Sequence, residues 1–279
     1  MCVLDTSISL NRKIIISLYS NSNEVETTDT QKKISPNQLD METLSCISVD
    51  EVIFGYDDDK LKVLIRSENV PNNGEIYLEW KFPGNQVRRN ETIEETSSRI
   101  LKEQTGLENI FVKQFKVFSD PNRLKRKIYE YEWVKPRLTD DRVITVGFYS
   151  LINVNDVDNS MLIEDAKWAD AYEIKELMFD HNDIFDEAFK KLRYDLLHEP
   201  LVFELLPLKF TLTQMQKLYE AIFNTTYDKR NYRRKVNKMP YLIPLDEIQT
   251  GVSHKPARLY SFDRDIYEKT RTERFDFRV

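Results

Sequence analysis

The stretch FPGNQVRRNETIEETSSRILKEQTGL, residues 82–107, constrains this chain more than any other. Apolar residues recur through it at helical spacing, at Ile93, Ile100 and Leu101, and it stops on Thr-Gly-Leu. Gly106 stands where a helix ends in the left-handed region, and Asn-Glu-Thr supplies polar groups for the first free amides. A strand-like YLEWKFPG leads in. The stretch therefore reads as a strand, a loop and one amphipathic helix.

It resembles the Nudix box: glycine, five residues, Glu, seven residues, then Arg-Glu-U-x-Glu-Glu-x-Gly-U, with U aliphatic. Glu91, Arg99, Leu101, Glu103, Gly106 and Leu107 match this pattern, whereas Asn85, Ile100 and Gln104 replace its glycine and two of its glutamates. Positions 100, 103 and 104 are spaced to share one helix face. Three carboxylates there would hold hard divalent cations against a diphosphate. Here Glu103 alone keeps its charge, so the resemblance implies a Nudix fold kept for binding, with no catalytic residue, metal or cofactor expected. The competing reading is a Nudix hydrolase of nucleoside diphosphate derivatives such as ADP-ribose. Its atypical metal site would recruit acids from elsewhere, for instance Asp120 or Asp140.

The pattern around the box predicts an α/β/α sandwich. CISVDEVIFGY and LKVLIRSE form a hairpin about Asp57-Asp58-Asp59, and IFVKQFKVFSD and VITVGFYSLINV add two strands. These two bracket a long polar segment, 121–142. Trp168 marks another strand, Ile174–Leu177 a short helix, and residues 181–198 a helix with Ile184, Phe185, Ala188, Phe189 and Leu192 on one face. The expected organisation is an N-terminal extension at 1–40, polar and disordered apart from an element near Lys13–Leu18. A Nudix-like domain follows at 41–200 and a second domain at 201–279.

Charge divides the chain in the same place. Residues 206–279 hold 15 Lys and Arg against 9 Asp and Glu, and the remainder 26 against 38. An acidic domain and a basic one suit different partners. The two cysteines, Cys2 and Cys46, have no disulfide or metal spacing, and no apolar run is long enough for a membrane span, so a cytoplasmic protein is expected.

The basic domain reads as helix, turn, helix, hairpin, the order of a winged helix. Thr211 caps a helix to Asn224 with Met215, Leu218, Tyr219 and Ile222 inward, and Asp228 caps a second that stops before Pro240. YLIPL and ARLYSFD are the hairpin strands. The second helix carries Lys229, Arg230, Arg233, Arg234, Lys235, Asn237 and Lys238, while Tyr232, Val236 and Met239 recur on one side and would dock it. Arginines on a rigid helix suit guanine edges in the major groove, and the lysines suit phosphates. His254 and Lys255 at the hairpin tip would add backbone contacts.

This arrangement, with FTLTQMQKLYEAI, DKRNYRRKV and SHKPARLYSFD behind a Nudix-like domain, resembles the Nudix-related transcriptional regulators, some responsive to ADP-ribose and others to sugars such as arabinose. The resemblance covers roughly residues 45–265. It implies a homodimer on a double-stranded DNA operator, controlled by a small effector: a sugar, sugar phosphate or nucleotide sugar. Candidate effector residues line the mouth of the box: Arg66, Trp80, Lys81, Gln86, Arg88, Glu91 and Glu103. Arg66 and Arg88 would hold phosphate or hydroxyls and Trp80 would stack a ring. Arg99 is expected to pair with a box carboxylate, and His181 and His198 to lie at the surface.

Overall fold

The computed structural model describes residues 46–270, except 73–74, 107, 125–141, 159, 161, 164 and 254. The expectations for residues 1–40, for most of 121–142, for Asp140 and for His254 lie outside the described residues.

One mixed sheet organises the first half. Strands β1 (Cys46–Tyr56), β2 (Leu61–Asn72), β3 (Glu75–Lys81), β4 (Gly84–Gln86), β5 (Phe111–Phe118), β6 (Val143–Asn153) and β7 (Ala166–Asp170) form it in the order β3-β2-β1-β6-β5, with β4 added to β1 and β7 to β2. The β1–β6 pair is parallel, from Cys46 opposite Val143 to Tyr56 opposite Asn153, and the other pairs are antiparallel. Period-two alternation splits β1 between two layers. Val49 and Ile53 pack with residues of α1 (Ile93–Thr105), whereas Val52, Phe54 and Tyr56 join the core that holds α2 (His181–His198). This is the expected α/β/α sandwich.

Local chemistry sets the helix ends. Thr92 and Glu95 form a reciprocal capping box at the start of α1, and Gly106 closes it at φ 70°. The helix α2 has the predicted limits. No helix forms at Ile174–Leu177: Asn182 accepts the Leu177 amide (2.8 Å) and donates to Lys175 O (3.0 Å), so these backbone groups are taken up by a side chain.

The second half holds α3 (Leu212–Phe223), α4 (Lys229–Val236), the β8 (Leu242–Ile248)–β9 (Arg258–Phe262) hairpin and α5 (Arg264–Thr270). Phe210 and Tyr260 exchange both backbone hydrogen bonds (3.0 and 2.7 Å), which ties the lead-in of α3 to the hairpin. The helix α5 was not expected. Asp263 accepts the Ile266 amide at its start, and Tyr267 meets the edge of Tyr241 with ring centroids 5.3 Å apart. The apolar core does not break near residue 200. Ala188, Leu192 and Leu196 of α2 continue through Leu201, Val202 and Leu205 to Leu218, Tyr219, Tyr232 and Val236 in one cluster.

Candidate nucleic-acid interface and effector cavity

Helix α4 is short and highly charged, and packing fixes it in place. Asp228 accepts the Asn231 amide at its N-terminus (2.9 Å). Tyr232 and Val236 are fully buried, Tyr232 stacks on Tyr227, and Met239 is half-buried. Lys229, Arg230, Arg233, Arg234, Asn237 and Lys238 are exposed, with Lys235 intermediate. Lysines in the sheet half sit against acids, as Lys60 does on Asp170 and Lys113 on Asp195 and Glu199. Among the described residues none of Lys229, Arg230, Arg233, Arg234 and Lys238 has a carboxylate within 4.0 Å. Uncompensated like charges on a rigid helix raise a positive potential suited to a polyanion. Lys255 is exposed on the hairpin side of the same surface.

The box residues are engaged with one another. Arg99 donates to both oxygens of Glu91 (2.8 and 3.0 Å) and approaches Glu103 at 3.4 Å, which is the pairing expected of it. Arg88 closes the cluster on Glu91 (3.3 Å) and Glu103 (3.7 Å). Hydrogen bonding from Arg99 holds Glu91 down at about 2. Positions 100, 103 and 104 do not present one common surface. Ile100 is buried with Val49, Val146 and Phe148, and Gln104 is buried with its amide oxygen unpartnered, while Glu103 is exposed. Deep in the same layer Glu51 is fully buried and accepts from Ser97 Oγ (2.7 Å) and from Ser150 Oγ, and burial raises it to about 7.

A cavity of about 220 Å³ opens on the opposite side of the sheet. It gathers Ser48 and Asp50 from β1, Lys81 from β3, Gln86 from β4, Thr145 from β6, Arg123 from the loop after β5, and Asp180 and His181 at the start of α2. Arg123 donates to both Asp180 oxygens (2.7 and 2.8 Å) and to Thr145 Oγ1. The Phe82 amide donates to His181 Nδ1 (2.9 Å), so the neutral ring carries its proton on Nε2, 3.9 Å from Asp50. Burial is the main force raising Asp50 to about 6. Gly84 is required here, because a Cβ would come within 2.0 Å of Asp50 Oδ1. Asn85, in the formal place of the box glycine, follows it directly.

Of the candidate effector residues, Lys81 and Gln86 line this cavity. Arg66, Trp80, Arg88, Glu91 and Glu103 do not. Arg66 lies between β3 and β7, Trp80 is covered by Lys167 at 3.6 Å, and the other three are spent on the box ion cluster. Lys81 also pairs with Glu68. His181 is buried, not at the surface, because it is stacked on Phe82 and held by its amide. Asp50, Arg123, Asp180 and His181 were missed. Two charged residues in the middle of the apolar strand CISVDEVIFGY were the available signal.

The model of the NrtR DNA-binding winged helix domain matches residues 202–262. Together with the sandwich and its box helix, that match makes the chain similar in architecture to the Nudix-related transcriptional regulators. The chain is 26% identical over 228 residues to the ADPR responsive transcriptional repressor NtrR of Acinetobacter baylyi, covering 80% of the chain and 84% of the relative. It superposes on the crystal structure of Shewanella oneidensis NrtR with TM-score 0.63 and 25% identity over 83% and 98% of the two chains. The same protein complexed with a 27mer DNA gives TM-score 0.65 at 24% identity, over 82% and 97%. No helix among the chain's described residues is long and apolar enough to cross a membrane.

Proposed function

We propose that the protein is a DNA-binding transcriptional regulator. Its α4 face reads an operator, and its Nudix-like half binds a nucleotide-sugar effector in the Asp50–His181 cavity. The observation that carries the DNA reading is the rigid α4 face, with five cations lacking a counter-charge on an element anchored by Tyr232 and Val236. For the effector, the cavity offers fixed donors and acceptors (Arg123, His181, Asp50, Thr145) that suit hydroxyls and a phosphate. The regulator's relative named for response to ADPR makes ADP-ribose the first probe. One winged helix covers a short site, so two copies on a palindrome are the expected assembly.

The test is a set of alanine substitutions at Arg230, Arg233, Arg234 and Lys238, assayed on a selected operator and on random duplex. Loss of an arginine that reads guanine costs roughly 1–3 kcal/mol at one base pair, and loss of Lys238 weakens all sequences alike. Undiminished binding by every variant would reduce α4 to a solvated surface.

A further inference from the structure

A second cleft, of about 540 Å³, lies where α3, α4 and the β8–β9 hairpin converge. Its lining brings Lys217 of α3, Arg233 of α4 and Lys255 of the hairpin side together with Thr213 and Gln249. All three cations are exposed, and among the described residues none has a carboxylate within 4.0 Å. Three positive side chains from three separate elements repel one another unless an anion sits between them. One wall comes from the sheet half. Asp58, at φ 71° on the turn between β1 and β2, is the only acid in the lining among the described residues and accepts from Asn155 Nδ2 (3.1 Å).

We infer that this cleft is a phosphate site. It seats one phosphodiester of the duplex backbone between Lys217, Arg233 and Lys255, and Asp58 limits by repulsion how tightly that phosphate is held. The inference rests on the DNA-binding reading and deepens it. Lys217, outside the basic helix, becomes a phosphate partner, and Arg233 acts from the flank of α4 as a charge and not as a base reader. Asp58 lies two residues beyond β1, which also supplies Ser48 and Asp50 to the effector cavity.

The experiment measures fluorescence anisotropy of the full chain on a selected operator and on random duplex across a salt series. Lys217→Ala is expected to weaken both duplexes by the same factor, about three- to tenfold, and to lower the salt slope by about one. Asp58→Asn is expected to tighten both duplexes. Thermal stability of the variants is followed in parallel, and both positions are exposed, so folding is expected to be unchanged. Wild-type affinity and slope in Lys217→Ala would overturn the site, as would a loss confined to one sequence. Unchanged binding by Asp58→Asn would remove Asp58 from the account. A free-phosphate role would show as stabilisation by inorganic phosphate that disappears in Lys217→Ala while DNA binding persists, and this too would overturn the inference. If the wild type binds neither duplex, the DNA reading itself fails.

Discussion

Positions 100 and 104 determine what the box can do, because Ile100 places a hydrocarbon and Gln104 a buried neutral amide where the pattern has acids, while Arg99 holds both oxygens of Glu91. Freeing Glu91 would strand a guanidinium that is itself mostly buried. Purified protein with magnesium and ADP-ribose is therefore expected to release no product at an enzymatic rate. Steady turnover that Glu103→Gln abolishes would contradict this. Glu51 gives a pH test of its surroundings. Its folded value, about 7, lies above the unfolded carboxylate range, so the folded state holds the extra proton between about pH 4.5 and 7. Stability is full below that window and lost as pH rises through it. Glu51→Gln, which keeps the contacts to Ser97 and Ser150, is expected to gain on the wild type across that window, by about 3 kcal/mol at most. Denaturant midpoints of the two proteins, measured from pH 4.5 to 7.5, check this, and parallel curves would refute it. Matches to the box and the pairing of Arg99 were legible in the sequence, but the buried role of Glu51 was not. Whether position 103 or 104 faces solvent depends on how α1 is rotated on the sheet, which spacing alone does not fix.

At the scale of elements, α2 joins the two candidate sites. Its start supplies Asp180 and His181 to the cavity. Further along, Arg193 donates to Ile222 O (3.0 Å) and to the Tyr172 hydroxyl (2.9 Å), while Tyr172 donates to Ala221 O and Ile222 O (2.9 and 2.8 Å). These are the last carbonyls of α3, which helix geometry leaves without partners. A straight helix of this length spans about 27 Å, so α2 reaches from the cavity to the end of α3 that Arg193 caps. Arg193→Gln is expected to cost roughly 1–2 kcal/mol in thermal or denaturant stability. It should also diminish the effect of effector on DNA affinity while each ligand binds alone as before. Coupling equal to the wild type's would exclude this route. Helix limits and caps were legible because Thr92, Gly106, Thr211 and Asp228 act within a few residues of themselves. The absent helix at Ile174–Leu177 and the extra α5 were not, since Asn182 and Tyr241 act on them from other elements.

At the scale of the whole molecule, the charge asymmetry and the order of most elements could be read directly, the exceptions being Ile174–Leu177 and α5. The shared core could not. Apolar patterning marks which side of a helix is buried but not which neighbour buries it, so α2 and α3 read as members of separate domains. The cavity was hidden for the same reason, as it unites positions 50, 123 and 181 only once β1 and β6 pair in parallel. One core beneath an acidic sensor and a basic reader makes effector-dependent DNA binding the central claim, with coupling of about 1–3 kcal/mol ordinary for such a switch. Titration of a selected operator by purified protein, with and without saturating ADP-ribose, tests it most directly. The account predicts two chains per palindromic site and an operator affinity that ADP-ribose shifts by at least about fivefold. Absence of sequence-preferring DNA binding, or an affinity unmoved by an ADP-ribose shown to be bound, would contradict it.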